Sequence, residues 1–428
     1  MQKSLVALAF ALLIASALQA DKACAEARLL IDAESGRVLE GENATYPWYP
    51  ASVTKLMTTY VTFKALRDQR ITLDTVFTYG PNAAAQQPSK MGFKIGIQIT
   101  VDNALKMMLV HSANDMAVVL AEGVSGSIDK FSDEMNANAR HLGMTQTNYV
   151  NPNGLPADEQ ITSARDLAIL ARALIREFPE YDGYWQIGAI KFGKHIMRNT
   201  NKLLDAYPGA DGMKTGFICA SGFNLVASAT RDGRRLIAVV LGAPSSALRA
   251  LKAAQLLERG FNTSTGGLTW LMPSLGTVEM LQPINAAPPN LREQMCGAHR
   301  KHPATEDEDE IMPADNGPDS PYAVFLASLQ PAKSKGALLQ ESNLGEPVLV
   351  YTGTKPPGPG SASAEPKPKK KAAATVKEKD SDSSGVTASP AGESSAPKKP
   401  KTKKAAAKPT VITPPAGGQT SEQTSHVR

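Results

Sequence analysis

Strand-like stretches stand at both ends of residues 28–262 while the middle reads as helix, and that arrangement restricts the fold more than any other feature of the chain. Leu29-Leu30-Ile31 and Val38-Leu39 flank a turn at Glu34-Ser35-Gly36 and read as a hairpin. At the other end, residues 224–229 and 236–241 are strand candidates joined by the turn Arg231-Asp232-Gly233. Between them, apolar residues recur at spacings of three and four over 52–68, 102–122 and 165–177, which predicts three helices. A fourth, over 247–259, closes at Gly260. Each apolar helix face needs a partner layer, so the pattern predicts an α/β domain whose single sheet takes strands from both ends of the segment.

The flanks do not share this pattern. Lys3 precedes an apolar run from Leu5 to Leu18, and Ala20, Ala23 and Ala25 follow, which reads as a secretory signal peptide over residues 1–25. The run is shorter than the ~20 residues a membrane span needs, which weighs against an uncleaved anchor. Either reading exports the protein, to the periplasm or cell envelope. The globular domain then occupies 26–262. Residues 263–354 hold short apolar pieces such as Leu268-Thr269-Trp270-Leu271-Met272, an acidic run from Glu306 to Glu310, and the isolated island Val348-Leu349-Val350-Tyr351; they read as a weakly structured appendage and linker.

From Lys355 onward the chain is dominated by Lys, Ala, Pro, Ser and Thr, with fourteen Lys/Arg against six Asp/Glu, a net of +8 (14 − 6). So few apolar residues cannot offset ordering entropy, so residues 355–428 are predicted to be a disordered tail. Such tracts suit nucleic acid, but an exported chain is not expected to bind it. A solvated tail is the plainer reading, and attraction to an anionic envelope surface is the functional one. Cys24 would leave with the signal, and the remaining Cys219 and Cys296 are too few for a disulfide framework; whether they pair stays open. Cys296, His299 and His302 lie close together without an evident fourth ligand, so neither a metal nor another cofactor is expected.

Chemistry points to Ser52 and Lys55. Pro50 blocks regular structure just before the first helix, so Ser52 should stand at a helix N-terminus, where outward N–H groups stabilise negative charge. A spacing of three puts Lys55 on the same face. A serine hydroxyl is a weak nucleophile until a base takes its proton, and a lysine desolvated by burial can be that base. Alone, S-x-x-K is weak, because a chain this long carries it by chance about once or twice, and serine at a helix start is usually only a cap. Two further motifs change the weighing: Ser112-Ala113-Asn114, 60 residues on (112 − 52), and Lys214-Thr215-Gly216, a further 102 on (214 − 112). S-x-x-K, S-x-N and K-T-G in that order are the set used by penicillin-binding proteins and class A β-lactamases.

With these motifs the chain resembles the serine D-alanyl-D-alanine carboxypeptidases, the low-molecular-mass penicillin-binding proteins. The resemblance covers about residues 29–259 through "LLIDAESGRVL", "PASVTKLMT", "HSANDMAV", "NPNGL", "NTNKLL", "DGMKTGF" and "RRLIAVVLGA". It implies a β-lactamase/transpeptidase-like fold: a sheet flanked by helices, with K-T-G on its edge strand, plus an all-helical subdomain holding S-x-N. By the same resemblance, Ser52 is the nucleophile that attacks between the terminal D-alanines of a peptidoglycan pentapeptide, Lys55 its base, and Ser112 the proton relay to the departing amine. Asn114 would hold a substrate carbonyl, Lys214 and Thr215 the free carboxylate, and Gly216 would permit close approach. Backbone N–H groups of Ser52 and Phe217 would meet the oxyanion, and β-lactam antibiotics would acylate Ser52. The chain departs from several members in having Phe217-Ile218 where they have His-Thr, which bears on substrate preference and deacylation.

Other readings stand beside this one. "GAIKFGKH" almost matches a phosphate-binding loop but lacks the Ser/Thr for magnesium. His111 beside Ser112 reads as an ordinary helix histidine. A serine β-lactamase shares the motifs, although no E-x-x-L-N-like stretch lies between Ser112 and Lys214. A DD-endopeptidase would use the same residues, and a non-catalytic envelope-binding protein would use the tail.

Overall fold

The computed structural model describes residues 26–262, 275–298 and 345–356, all within the first of two units into which the chain divides, Met1–Glu365. The signal segment, residues 268–272, the acidic run 306–310 and all but the first two residues of the basic tail lie outside the described residues.

The chain begins with β1 (Ala27–Asp32) and β2 (Val38–Glu42), then a 3-10 turn (Ala51–Thr54) that runs directly into α1 (Lys55–Arg67). A short antiparallel pair, β3 (Val76–Thr78) and β4 (Gln98–Thr100), precedes α2 (Val101–Val110), α3 (Asn114–Ser125), α4 (Ile128–His141) and α5 (Ala164–Glu177). There follow a hairpin of β5 (Ala189–Phe192) and β6 (His195–Arg198), the long strands β7 (Ala210–Ile218), β8 (Gly222–Arg231) and β9 (Arg234–Ala243), and α6 (Ser246–Asn262). Beyond the domain lie α7 (Arg292–Cys296) and β10 (Val348–Leu349).

The main sheet has the order β2-β1-β9-β8-β7. Strand β1 pairs antiparallel with β9, Arg28 opposite Val240 and Asp32 opposite Leu236, so the sheet does join the two ends of the domain. β9 is buried at every position from Leu236 to Ala243. Successive side chains point to opposite faces, so both faces are covered, with α5 and α6 packing on β9.

The helical part is organised around α1, buried at eleven of its thirteen positions. Its polar residues cause no conflict because Thr59 and Thr62 bond back to the Lys55 and Thr58 carbonyls, and Thr58 reaches the Pro152 carbonyl.

Several sequence expectations change. The helix predicted over 102–122 is two helices, because Ser112 adopts the left-handed conformation, φ 58°, which a right-handed helix cannot contain. Its apolar periodicity runs through the break because residues on both sides are buried. Gly260 does not end α6, which runs on to Asn262. A Cβ at Gly260 would lie 2.7 Å from both Leu30 and Leu236 side chains, so the glycine brings the helix close to the sheet. "GAIKFGKH" is the β5–β6 hairpin, Phe192 opposite His195 across Gly193-Lys194, rather than a phosphate loop. The island at Val348 is not isolated: β10 lies parallel to β5, Val348 opposite Ile190, and the Tyr351 amide donates to Asn103 Oδ1.

Residues 275–298 run along the domain as a strap. The Val38 amide donates to the Gly276 carbonyl and the Val278 amide to that of Gly36. Arg165 bonds the Glu279 carbonyl, and the Leu291 amide reaches the Ala220 carbonyl. Val278, Leu291 and Met295 are buried, and a disulfide joins Cys296 to Cys219, which settles the pairing left open above. The bond closes a loop of 77 residues and restricts the unfolded chain. Cys296→Ser should therefore lower unfolding stability by about 2–4 kcal/mol, read as a lower guanidinium midpoint. Reductant should shift the wild type likewise; an unchanged midpoint in both would show that packing alone secures the strap.

Candidate active site

Ser52 sits on the 3-10 turn and Lys55 is the first residue of α1. The turn is held from several sides. Asn224 on β8 donates to the Tyr49 and Pro50 carbonyls, Gln160 bonds the Thr54 hydroxyl, and Trp48 Nε1 donates to the Ser221 carbonyl. Ala51, just before the serine, is itself left-handed, φ 51°.

Lys55 is fully buried. Its Nζ lies 2.9 Å from Ser52 Oγ, 2.7 Å from Asn114 Oδ1 and 2.7 Å from the Asn153 carbonyl oxygen. The two amide oxygens only accept, whereas the hydroxyl can accept or donate. An ammonium satisfies all three by donating. A neutral amine keeps its bonds to both amide oxygens and turns its lone pair to the Ser52 proton. The Ser52 hydroxyl is thus the one partner of these three that has a proton to give.

The second and third motifs meet side chain to side chain. Lys214 and Ser112 are buried, and Lys214 Nζ donates to Ser112 Oγ at 2.9 Å and to the Thr215 carbonyl at 3.0 Å. Asn114 does more than sequence reasoning assigned. Its Oδ1 accepts from Lys55, while its Nδ2 donates to the Gln87 and Pro88 carbonyls and its main-chain amide to the Ser89 carbonyl. A substrate carbonyl binding there must displace the Gln87 or Pro88 contact. Next to it, Asp115 accepts from the Met91 and Gly92 amides and from Tyr79. Burial, then the charge of Asp115, pushes the Tyr79 phenol above its ordinary range, so it stays a donor.

Strand alternation places Lys214 and Gly216 on one side of β7 and Thr215 and Phe217 on the other. A Cβ on Gly216 would lie 2.7 Å from the Ser52 amide nitrogen and 2.9 Å from that of Val53. That glycine is what lets the strand approach the turn that carries Ser52. The Phe217 ring packs at a tilt against Phe223, ring centroids 4.4 Å apart, so its side chain is held against the sheet. Thr215 Oγ1 donates to Thr200 Oγ1 at 2.7 Å.

All eight residues singled out from sequence are therefore held around two linked groups, Ser52–Lys55–Asn114 and Ser112–Lys214–Thr215, with Gly216 and Phe217 on the strand beside them. Sequence reasoning missed Asn153, Asp115, Thr200 and Asn224 as parts of the site; the "NPNGL", "HSANDMAV" and "NTNKLL" matches contain the first three without giving them a role. Among the described residues, no group of three or more His, Cys, Asp or Glu could hold a metal.

The model of the D-alanyl-D-alanine carboxypeptidase family matches residues 14–245, and the chain belongs to that family. It is similar to the carboxypeptidase DacC of Escherichia coli K12, 40% identical over 244 residues, covering 55% of this chain and 61% of the relative. The chain thus spans less than two thirds of such curated relatives, the share being 62% for DacA of Haemophilus influenzae. Among solved structures it resembles penicillin binding protein 5 from Haemophilus influenzae, with 37% identity, TM-score 0.54, and 55% and 70% of the two chains covered. It also resembles penicillin-binding protein D2 from Listeria monocytogenes in the cefotaxime-bound form, with 30% identity, TM-score 0.51, and 55% and 96% covered. The fold is the β-lactamase/transpeptidase-like fold of these proteins.

Gly154 offers a test of how the site is held. It is left-handed, φ +83°, and a Cβ there would lie 1.8 Å from the Ala51 carbonyl oxygen. Gly154→Ala should cost about 3 kcal/mol, from the backbone conformation and overpacking together, measured by chemical denaturation. A loss under about 0.5 kcal/mol would show that the turn before Ser52 yields freely.

Proposed function

We propose that the protein is a serine DD-carboxypeptidase that removes the terminal D-alanine from peptidoglycan stem pentapeptides. The observation that carries this reading is the buried Lys55 amine shared by the Ser52 hydroxyl and two amide oxygens, beside a Lys214–Ser112 pair. Ser52 attacks the carbonyl between the last two D-alanines while Lys55 takes its proton. The oxyanion meets the backbone N–H groups of Ser52 and Phe217, each such donor stabilising the transition state by about 3 kcal/mol. Ser112, held by Lys214, relays the proton that Lys55 took from Ser52 on to the departing amine, so the C–N bond breaks as the Ser52 ester forms. Lys214 and Thr215 bind the free carboxylate, and Asn114 holds the carbonyl of the acyl side. Water then cleaves the Ser52 ester. A β-lactam presents a similar carbonyl and carboxylate and acylates the same hydroxyl; the cefotaxime-bound Listeria neighbour is a family precedent.

The leader places this chemistry outside the cytoplasm. The basic tail, with a net charge of +8 (14 − 6), adds an attraction to anionic envelope polymers that salt should screen. Removing residues 357–428 should weaken sedimentation with anionic cell-wall material at low salt, and full retention without them would remove that role.

Labelling with a fluorescent penicillin, mapped by peptide analysis, should put the adduct on Ser52. Ser52→Ala should abolish it, and Lys55→Met should slow it by about 10²–10⁴-fold. The wild type should release D-alanine from a pentapeptide. Rapid nitrocefin turnover without D-alanine release would instead favour a β-lactamase. Release from cross-linked peptides but not pentapeptides would favour an endopeptidase, and no adduct at all a non-catalytic role.

A further inference from the structure

We infer that Thr200 is a positioning residue for the carboxylate end of the substrate, acting through Thr215; the inference rests on the carboxypeptidase reading. Thr215 is buried, and its hydroxyl is within 2.7 Å of Thr200 Oγ1. Thr200 stands just past the end of β6 in a segment tied down on every side. The Thr200 amide donates to the Val110 carbonyl, at the end of α2 and two residues before Ser112. Asn199 is pinned to the base of the β5–β6 hairpin through the Gly188 and Ile187 carbonyls. Asn201, buried, donates to the Gly212 carbonyl of β7. The Thr200 oxygen is therefore fixed relative both to the end of α2, just before Ser112, and to β7, which carries Lys214.

A threonine hydroxyl has one proton and two lone pairs. In the structure as it stands, Thr215 directs its proton at Thr200. A carboxylate arriving beside Lys214 accepts but cannot donate, so Thr215 must turn its proton to the ligand. Thr200 can then donate its own proton to Thr215 Oγ1, and the pair becomes a chain, Thr200 to Thr215 to carboxylate, each bond polarising the next. No proton is gained or lost; two hydroxyls rotate. A residue at 200 without a hydroxyl leaves Thr215 without that donor when the ligand is bound. The effect is confined to substrates that carry the carboxylate.

Two N-acyl-D-alanyl thioesters of equal reactivity separate this from a structural role, one with a thioglycolate leaving group, which bears a carboxylate, and one with an ethanethiol leaving group, which does not. Thr200→Val should raise KM for the thioglycolate ester about five- to tenfold with little change in kcat, as for loss of one hydrogen bond between neutral groups, and leave the ethyl thioester unchanged. Thr200→Ser should restore the wild-type KM, and Thr200→Ala should repeat the valine result if valine perturbs folding. Equal losses on both esters, or none on either, with an active wild type, would overturn the inference and leave the carboxypeptidase reading intact. A wild type that cleaves neither ester nor a pentapeptide overturns both.

Discussion

An amine with no route to water must be surrounded by oxygens, and at Lys55 those oxygens come from three separate parts of the chain. Ser52 lies one turn back, Asn114 opens α3, and the Asn153 carbonyl belongs to the loop ahead of α5. Leaving a buried charge without partners costs several kcal/mol, so each part is fixed by the same nitrogen. The contacts behind it follow. Gly154 is drawn so close to Ala51 that no side chain fits, and Gly216 brings β7 to the other side of the same turn. Ser52 is held by the packing of backbone on backbone, with Lys55 at the junction.

The opposite wall carries strain where it meets this junction. Ser112 is a non-glycine residue in the left-handed region, a conformation that costs on the order of 1 kcal/mol. It persists because the turn is over-determined. Asp115 collects three main-chain amides and the Tyr79 hydroxyl, and the Asn114 amide is taken by Ser89. A straight helix from 101 to 125 would bury Ser112 and Asn114 in its own ladder. The break turns one towards Lys214 and the other towards Lys55.

What could be read from sequence was local. Ser52 and Lys55 are three residues apart, K-T-G is contiguous, and the end strands announce themselves by short apolar runs and turn residues, so spacing alone places them. The long helix was misread because its break does not interrupt apolar character, only backbone direction. Gly260 looked like a helix stop because glycine permits a left-handed turn, while here it serves close packing against Leu30 and Leu236. Helix α4 went unread although Ser127 caps it, and Asn153, Asn224 and Thr200 escaped because a hydrogen bond across 98, 174 or 15 residues leaves no periodic trace. The pairing of Cys219 with Cys296 likewise depends on a strap whose course only the fold reveals.

The position of β1 has a consequence for biosynthesis. It begins at Ala27, directly after the segment that reads as an export leader, yet its inner neighbour is β9, which ends at Ala243. Until the ribosome has made that strand, β1 has only β2 beside it, and an isolated hairpin is marginally stable in water. The sheet therefore cannot close early. The pairing that locks the domain thus becomes available only once the chain has been made through Ala243, more than two hundred residues after β1.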